Sequence, residues 1–128
     1  MVLEHCVTEW PVDAVLLPVN PLEALLGGFL DLVLSSAQNC GRAIIGMKLL
    51  GGSHFISREA GITPELLIRY ALSYDITTAI VGCSTPQEVQ MLARVGSDFK
   101  PMNLEEKQTL EEIFRPHARR LAFYRGVL

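Results

Sequence analysis

The sequence predicts an α/β fold with three parallel strands alternating with helices, because three apolar runs recur along it with helix signals between them. The runs are rich in β-branched residues and occupy positions 14–19, 43–47 and 77–81. None has a polar face, which is typical of strands covered by helices on both sides or of strands in a barrel. Repeated βα units form parallel sheets, so we expect the three strands to be parallel.

Caps and periodicity predict the helices. Apolar residues at three- and four-residue intervals between the first and second runs, from Leu22 to Ala37, predict one helix, although Gly27 and Gly28 weaken it. Three further helices begin at an N-cap residue that is followed by proline, glutamate or both: Thr63 with Pro64, Thr85 with Pro86 and Glu88, and Asn103 with Glu106. The last of these helices is expected to end or kink at Pro116.

Length and charge limit the class of protein. The chain has 128 residues, of which 11 are basic and 14 acidic, for a net charge of −3. This size fits a single domain spanning residues 1–128. The mildly acidic balance offers no basic surface for nucleic acid. The most apolar stretch, 14–34, contains prolines and acidic residues, so no membrane span is expected.

The N-terminus and the cysteines predict a cytoplasmic protein without a metal. Glu4 and His5 stand where a signal peptide has basic residues and an apolar run. We therefore expect a reducing compartment, in which Cys6, Cys40 and Cys83 are free thiols. Their spacing matches no zinc-binding pattern, so no metal site is predicted.

Candidate binding segments follow the three runs, because ligands of parallel α/β proteins bind beyond the carboxyl ends of the strands. Gly82 and the small residues after it lead into a helix N-terminus, which attracts anions such as phosphate. The N-cap at Thr85 explains the same residues without a ligand. Lys48 could reach a pyrophosphate or simply extend its amine into water. Gly51 and Gly52 would let a ligand approach the backbone, or form only a flexible loop.

Three motifs resemble the C-terminal half of the aldo-keto reductases. They are GMKLLGG at 46–52, GITPEL at 61–66 and TTAIVGCSTPQEV at 77–89. Their order and spacing agree with that family, and the resemblance extends from about Asp13 to Leu110. It implies that the three strands are similar to the sixth, seventh and eighth strands of a (β/α)8 barrel. The fold expected from the resemblance is therefore a partial TIM barrel.

The resemblance also implies a set of cofactor-binding residues. In the family, the loops after the seventh and eighth strands hold the pyrophosphate and the adenosine ribose of NADPH. The matching positions here are Met47, Lys48, Leu49, Leu50 and Gly51 after the second run, and Gly82, Cys83, Ser84, Thr85 and Glu88 after the third. Many members carry basic residues where this chain has Gly82 and Glu88. Because a carboxylate repels a 2′-phosphate and accepts a hydrogen bond from ribose, we expect NAD to be preferred over NADP.

The catalytic residues of the family have no counterpart in these 128 residues. The family's catalytic Asp, Tyr, Lys and His come from the first four strands, so no catalytic residue is assigned. The resemblance thus implies the cofactor-binding portion of an NAD(P)-dependent oxidoreductase that is inactive alone. Two alternatives are a non-catalytic module that binds a nucleotide or a protein, and a small α/β domain without a ligand. The resemblance implies a nicotinamide dinucleotide as a partner. Since a three-stranded sheet has two unpaired edges, we also expect a second copy or an N-terminal half to bind.

Overall fold

Three strands form one parallel sheet in the order in which they occur along the chain. The structure is a computed structural model that describes residues 2–126. Its strands are β1 (Ala14–Pro18), β2 (Ala43–Met47) and β3 (Thr78–Ala79). In the register of the sheet, Ile45 of β2 lies opposite Leu16 of β1 and Thr78 of β3. The predicted α/β class and the parallel direction are confirmed, although β3 is shorter than the apolar run at 77–81.

Seven α-helices accompany the sheet in the described part of the chain. They are α1 (Val2–Glu9), α2 (Pro21–Leu26), α3 (Leu34–Asn39), α4 (Pro64–Leu72), α5 (Pro86–Ser97), α6 (Leu104–Phe114) and α7 (Ala118–Leu121). The sequence did not predict α1 or α7. Within residues 2–126, none of these helices is long and apolar enough to cross a membrane.

The three predicted helix starts are confirmed. Each N-cap side chain accepts a hydrogen bond from a backbone N–H in the first turn: Thr63 from Leu66, Thr85 from Glu88, and Asn103 from Glu106. These contacts satisfy N–H groups that have no partner within the helix. The predicted end of α6 before Pro116 is also confirmed.

The helix predicted between β1 and β2 is broken into three pieces. Helix α2 stops before Gly27 and Gly28, whose φ angles are 70° and 98°. A π-helical turn (Phe29–Val33) then leads into α3. A right-handed helix cannot continue through positive φ, a conformation that glycine adopts without steric cost. The prediction of one continuous helix is therefore wrong, because the glycine pair ends the helix instead of merely weakening it.

One face of the sheet is buried under helices, whereas the other is open. Val15, Leu17 and Ile44 are at most 5% exposed and pack in one cluster with residues of α1, α3 and α4. Leu16 and Ile80 are 46% and 57% exposed. Successive residues of a strand point to opposite faces, so this alternation reflects a single covering layer. Among the described residues, helices therefore cover one face of the sheet and leave the other open.

A second buried cluster lies among the helices that flank α4. Its members are Leu22, Phe55, Ile62, Leu67, Tyr70, Met102, Leu110, Phe114, Ala118 and Ala122. Helix α4 contributes to both clusters, because Ile68 and Ala71 belong to the sheet core. Helix α5, in contrast, contains no buried residue. The packing around α4 therefore joins the first two βα units to α6 and α7, while α5 lies at the margin.

Candidate functional site

The carboxyl ends of β2 and β3 border a cleft of about 230 Å³. Its lining residues are Lys48, Leu49, Leu50, Gly52, Ser53, Ile80, Val81 and Gly82. The structure thus brings together the two loops that the sequence singled out. Four of the predicted cofactor-binding residues line this cleft: Lys48, Leu49, Leu50 and Gly82.

Lys48 is the one charged residue among those that line the cleft. It is exposed, and its backbone has a φ of 57°, in the left-handed region that favours glycine. Its carbonyl oxygen accepts hydrogen bonds from Asn20 Nδ2 at 3.1 Å and from the Gly51 N–H at 3.2 Å. These two donors hold the loop in the conformation that puts the lysine at the cleft.

The rest of the loop after β2 is shaped by the core. Leu49 is 2% exposed and belongs to the sheet core. Gly51 is buried with a φ of 54°, and a Cβ at this position would lie 2.3 Å from the ring of Phe55. Glycine at 51 is therefore required by packing against Phe55, independently of any ligand. Met47 is half-buried at the end of β2 and does not line the cleft.

In the loop after β3, the backbone N–H groups that could bind an anion are already hydrogen-bonded to a side chain of the protein. Cys83, Ser84, Thr85 and Glu88 are exposed and do not line the cleft. Glu88 Oε2 accepts hydrogen bonds from the Ser84 N–H at 2.6 Å and the Thr85 N–H at 3.3 Å. These N–H groups are among those that a phosphate would use at a helix N-terminus. A phosphate could bind them only if the Glu88 carboxylate moved aside.

A buried polar network lies behind the Lys48 loop. Glu23 is fully buried, and its Oε1 accepts a 2.6 Å hydrogen bond from the Tyr124 hydroxyl. Its Oε2 lies 3.5 Å from Arg125 Nη1. Burial raises the pKa of Glu23, and the Tyr124 hydrogen bond and the Arg125 guanidinium offset this only in part. Burial and the bond to Glu23 likewise raise the pKa of Tyr124.

Sequence patterns did not point to this network. Glu23 and Tyr124 are 101 residues apart, and neither belongs to a motif. Asn20, also fully buried, directly follows the first apolar run and stands in the first of the candidate binding segments. The sequence signal that could have drawn attention to Glu23 is an acidic residue within a run of leucines. An acidic residue in such a run is equally typical of the solvent-exposed face of an amphipathic helix.

A second polar cluster joins α4 to α6. The Tyr70 hydroxyl donates to Glu111 Oε1 at 2.6 Å and lies 2.8 Å from the Tyr74 hydroxyl. Burial, and then the bond to Glu111, raises the pKa of Tyr70, and burial raises the pKa of Tyr74 to about 12. Tyr70 is fully buried and Tyr74 half-buried. Tyr70 therefore lies in the core and Tyr74 at its margin.

Another cavity, of about 600 Å³, lies between α4 and α5. Arg69 and Arg94 line it, but each already faces an acidic residue. Arg69 Nη2 is 2.9 Å from Glu106 Oε1, and Arg94 Nη2 is 3.9 Å from Glu65 Oε1. Both guanidinium groups at this cavity are therefore already paired with carboxylates.

Comparison with known proteins gives no relative. The chain matches no model of a protein family, and no curated protein and no solved structure shows significant similarity to it. In residues 2–126, no group of three or more His, Cys, Asp and Glu side chains is arranged to hold a metal ion.

Proposed function

We propose that this chain is the cofactor-binding portion of an aldo-keto reductase-like oxidoreductase, that it binds NAD or NADP, and that it is inactive alone. The observation that carries the proposal is the cleft between the loops after β2 and β3, with Lys48 at its edge. Parallel α/β proteins bind ligands at this end of their strands. The motifs that resemble the aldo-keto reductases supply both loops.

The topology of the sheet supports a partial (β/α)8 barrel. In such a barrel, successive strands are neighbours and the helices lie outside, so each strand has one face towards the helices and one towards the interior. The order β1-β2-β3 and the single covered face agree with that arrangement. The apolar residues of the open face, among them Leu16 and Ile80, would then face the barrel interior. A doubly wound sheet would instead have helices on both faces.

The residues of the cleft suit a dinucleotide. The Lys48 ammonium is positioned to bind pyrophosphate oxygens, since a hydrogen bond between charged groups is stronger than one between neutral groups. Glu88, six residues after Gly82 along the chain, would disfavour a 2′-phosphate, and its Oε1 could accept a hydrogen bond from a ribose hydroxyl. The cofactor supplies the hydride, but reduction of a carbonyl also needs a proton donor. That donor would come from the catalytic half of such an enzyme, which has no counterpart in this chain.

Cofactor titration tests the binding step. We expect the purified chain to quench NADH and NADPH fluorescence and to bind NADH more tightly. Lys48→Ala should weaken NADH binding about tenfold, because a hydrogen bond to a charged group contributes on the order of 1.5 kcal/mol. Lys100→Ala removes another exposed lysine outside the cleft and should leave the affinity unchanged. Equal losses in the two variants would contradict a role for Lys48, and tighter NADPH binding would contradict the preference for NAD.

An activity assay tests the second step. The chain alone should reduce no aldehyde, whereas a mixture with the N-terminal half of a complete aldo-keto reductase should regain reduction. Turnover of an aldehyde by the chain alone would contradict the proposal.

The open sheet face favours a second candidate function, that of a non-catalytic module that binds another protein. Leu16 and Ile80 form an exposed apolar patch beside two unpaired strand edges, and such edges pair with other chains. Dinucleotide titration and light scattering distinguish the two functions. A chain that binds neither dinucleotide but self-associates would favour the protein-binding module.

A further inference from the structure

A chain of hydrogen bonds joins the 118–126 segment, which follows α6, to the carbonyl group of Lys48. Asn20 Nδ2 donates to the Lys48 carbonyl oxygen at 3.1 Å and to the Tyr124 hydroxyl at 3.0 Å. The Tyr124 hydroxyl in turn donates to Glu23 Oε1 at 2.6 Å. One side-chain amide therefore contacts both the candidate cofactor loop and a residue near the other end of the protein.

The orientation of the Asn20 amide is set by its surroundings. Its Oδ1 accepts hydrogen bonds from the backbone N–H groups of Leu22 and Glu23, at 3.0 and 3.3 Å, as the N-cap of α2. Because Oδ1 is occupied by two donors, Nδ2 must face Lys48 and Tyr124. The N-cap of α2 and the restraint on Lys48 are thus two functions of one side chain.

Glu23 determines which groups donate and which accept in these hydrogen bonds. A buried carboxylate is costly unless it is paired, and here the partners are Tyr124 and Arg125. Because the Tyr124 proton points to Glu23, the lone pairs of its oxygen are free to accept from Asn20. Arg125 is anchored as well, since its Nη2 donates to the Gly27 carbonyl oxygen at 3.0 Å.

Lys48 needs such a restraint. A residue other than glycine at positive φ is strained and persists only where its neighbours hold it. The donors to its carbonyl are Asn20 and Gly51. Without Asn20 in its present orientation, the loop would relax towards ordinary backbone angles and the lysine would leave the edge of the cleft.

We propose that Tyr124 and Glu23 are positioning residues, which hold Asn20 so that Lys48 is poised to bind the pyrophosphate of a dinucleotide. This inference rests on the proposed function of the cleft. It goes further by assigning a binding role to the 118–126 segment, which contributes no residue to the lining of the cleft.

Tyr124→Phe removes the hydroxyl and keeps the ring. We expect faster hydrogen exchange at the Gly51 amide, which donates to Lys48, and about fivefold weaker NADH binding, in line with the loss of one hydrogen bond. Tyr74→Phe is the matched control, because it removes a hydroxyl from the other tyrosine–carboxylate cluster. It should leave both measurements unchanged even if it lowers thermal stability.

Glu23→Leu removes the acceptor of the Tyr124 proton, so exchange at Gly51 should become faster and NADH binding weaker, as in Tyr124→Phe. Glu23→Gln is the conservative variant: its amide oxygen still accepts from Tyr124 and should restore both measurements towards the wild type. A Glu23→Leu variant that matches the wild type in both would contradict the role of Glu23. If Tyr124→Phe behaves like Tyr74→Phe in both measurements, the positioning role is wrong. If the wild-type chain binds no dinucleotide, the proposed function is wrong, and the exchange at Gly51 still decides whether Tyr124 restrains the loop.

Discussion

Helices α4 and α5 begin in the same way but lie in different surroundings. Each starts with a threonine N-cap followed by proline. Four residues of α4 are buried, whereas none of α5 is. Strand β2 pairs with β1 over five residues and with β3 over only two. Local signals therefore decide where a helix begins, but its burial depends on its neighbours, and the third βα unit is attached more weakly than the first two.

Truncation of one leucine in each helix should show the largest contrast. Leu67 in α4 is fully buried, and Leu67→Ala should lower the free energy of unfolding by about 2–5 kcal/mol. Leu92 in α5 is only partly buried, so Leu92→Ala should cost about 1 kcal/mol or less. Urea unfolding of both variants measures the difference. Similar losses would mean that the third unit is as firmly attached as the second.

Glu23, which is buried in α2, should have a smaller and pH-dependent effect on the free energy of unfolding. The folded-state pKa of Glu23 is raised above its ordinary value of 4.5 by burial. The stabilisation that its neutral form provides is thus complete below that value and is lost as the pH rises through the folded-state pKa. Glu23→Gln mimics the neutral form, so the variant should become more stable than the wild type as the pH increases.

Urea unfolding of the wild type and of Glu23→Gln between about pH 4 and pH 8 measures this effect. Glu106 and Glu112 act in the opposite direction, because hydrogen bonds hold their pKa values below the ordinary range. For Glu106 the bond to the Asn103 backbone is the main cause, and for Glu112 the bond to Arg115. Both are present in each protein and cancel in the difference. A difference that does not change with pH would contradict a raised pKa at Glu23.

Removal of the helix caps should give the smallest change in stability. It should also show whether each change is confined to one helix or affects the whole protein. Thr85→Ala and Thr63→Ala each remove an N-cap that stabilises its helix by about 1 kcal/mol. Because α5 lacks buried residues, the loss at Thr85 should appear as faster amide exchange within α5 alone. The loss at Thr63 should lower the stability of the whole protein. If both variants unfold globally at the same lower urea concentration, the two helices belong to one cooperative unit.

The sequence predicted the features that depend on local physics. Strands appeared as β-branched apolar runs, and helix starts as N-caps such as Thr63 and Asn103, because both signals act within a few residues. The parallel direction followed from the alternation of strands and helices. The loops at the carboxyl ends of β2 and β3 followed from the same topology, and four of the ten predicted residues line the cleft between these loops.

Features that depend on distant parts of the chain could not be predicted. The absence of polar residues from the runs does not distinguish a strand covered on both faces from one with an open apolar face, such as the face that carries Leu16. The network of Glu23 and Tyr124 requires contact between opposite ends of the chain. The break at Gly27 could be predicted only in part. The glycine pair was evident in the sequence, but the positive φ angles that end the helix depend on packing.

The contact between Gly51 and Phe55 links the candidate cleft to helix α6. The ring of Phe55 also meets the ring of Phe114 edge to face, with centroids 5.7 Å apart. The backbone of the loop at Gly51 therefore packs against the Phe55 ring, and that ring packs against Phe114 of α6. A substitution at position 114 would therefore reach the loop after β2 through Phe55 and Gly51, even though the sequence of that loop is unchanged.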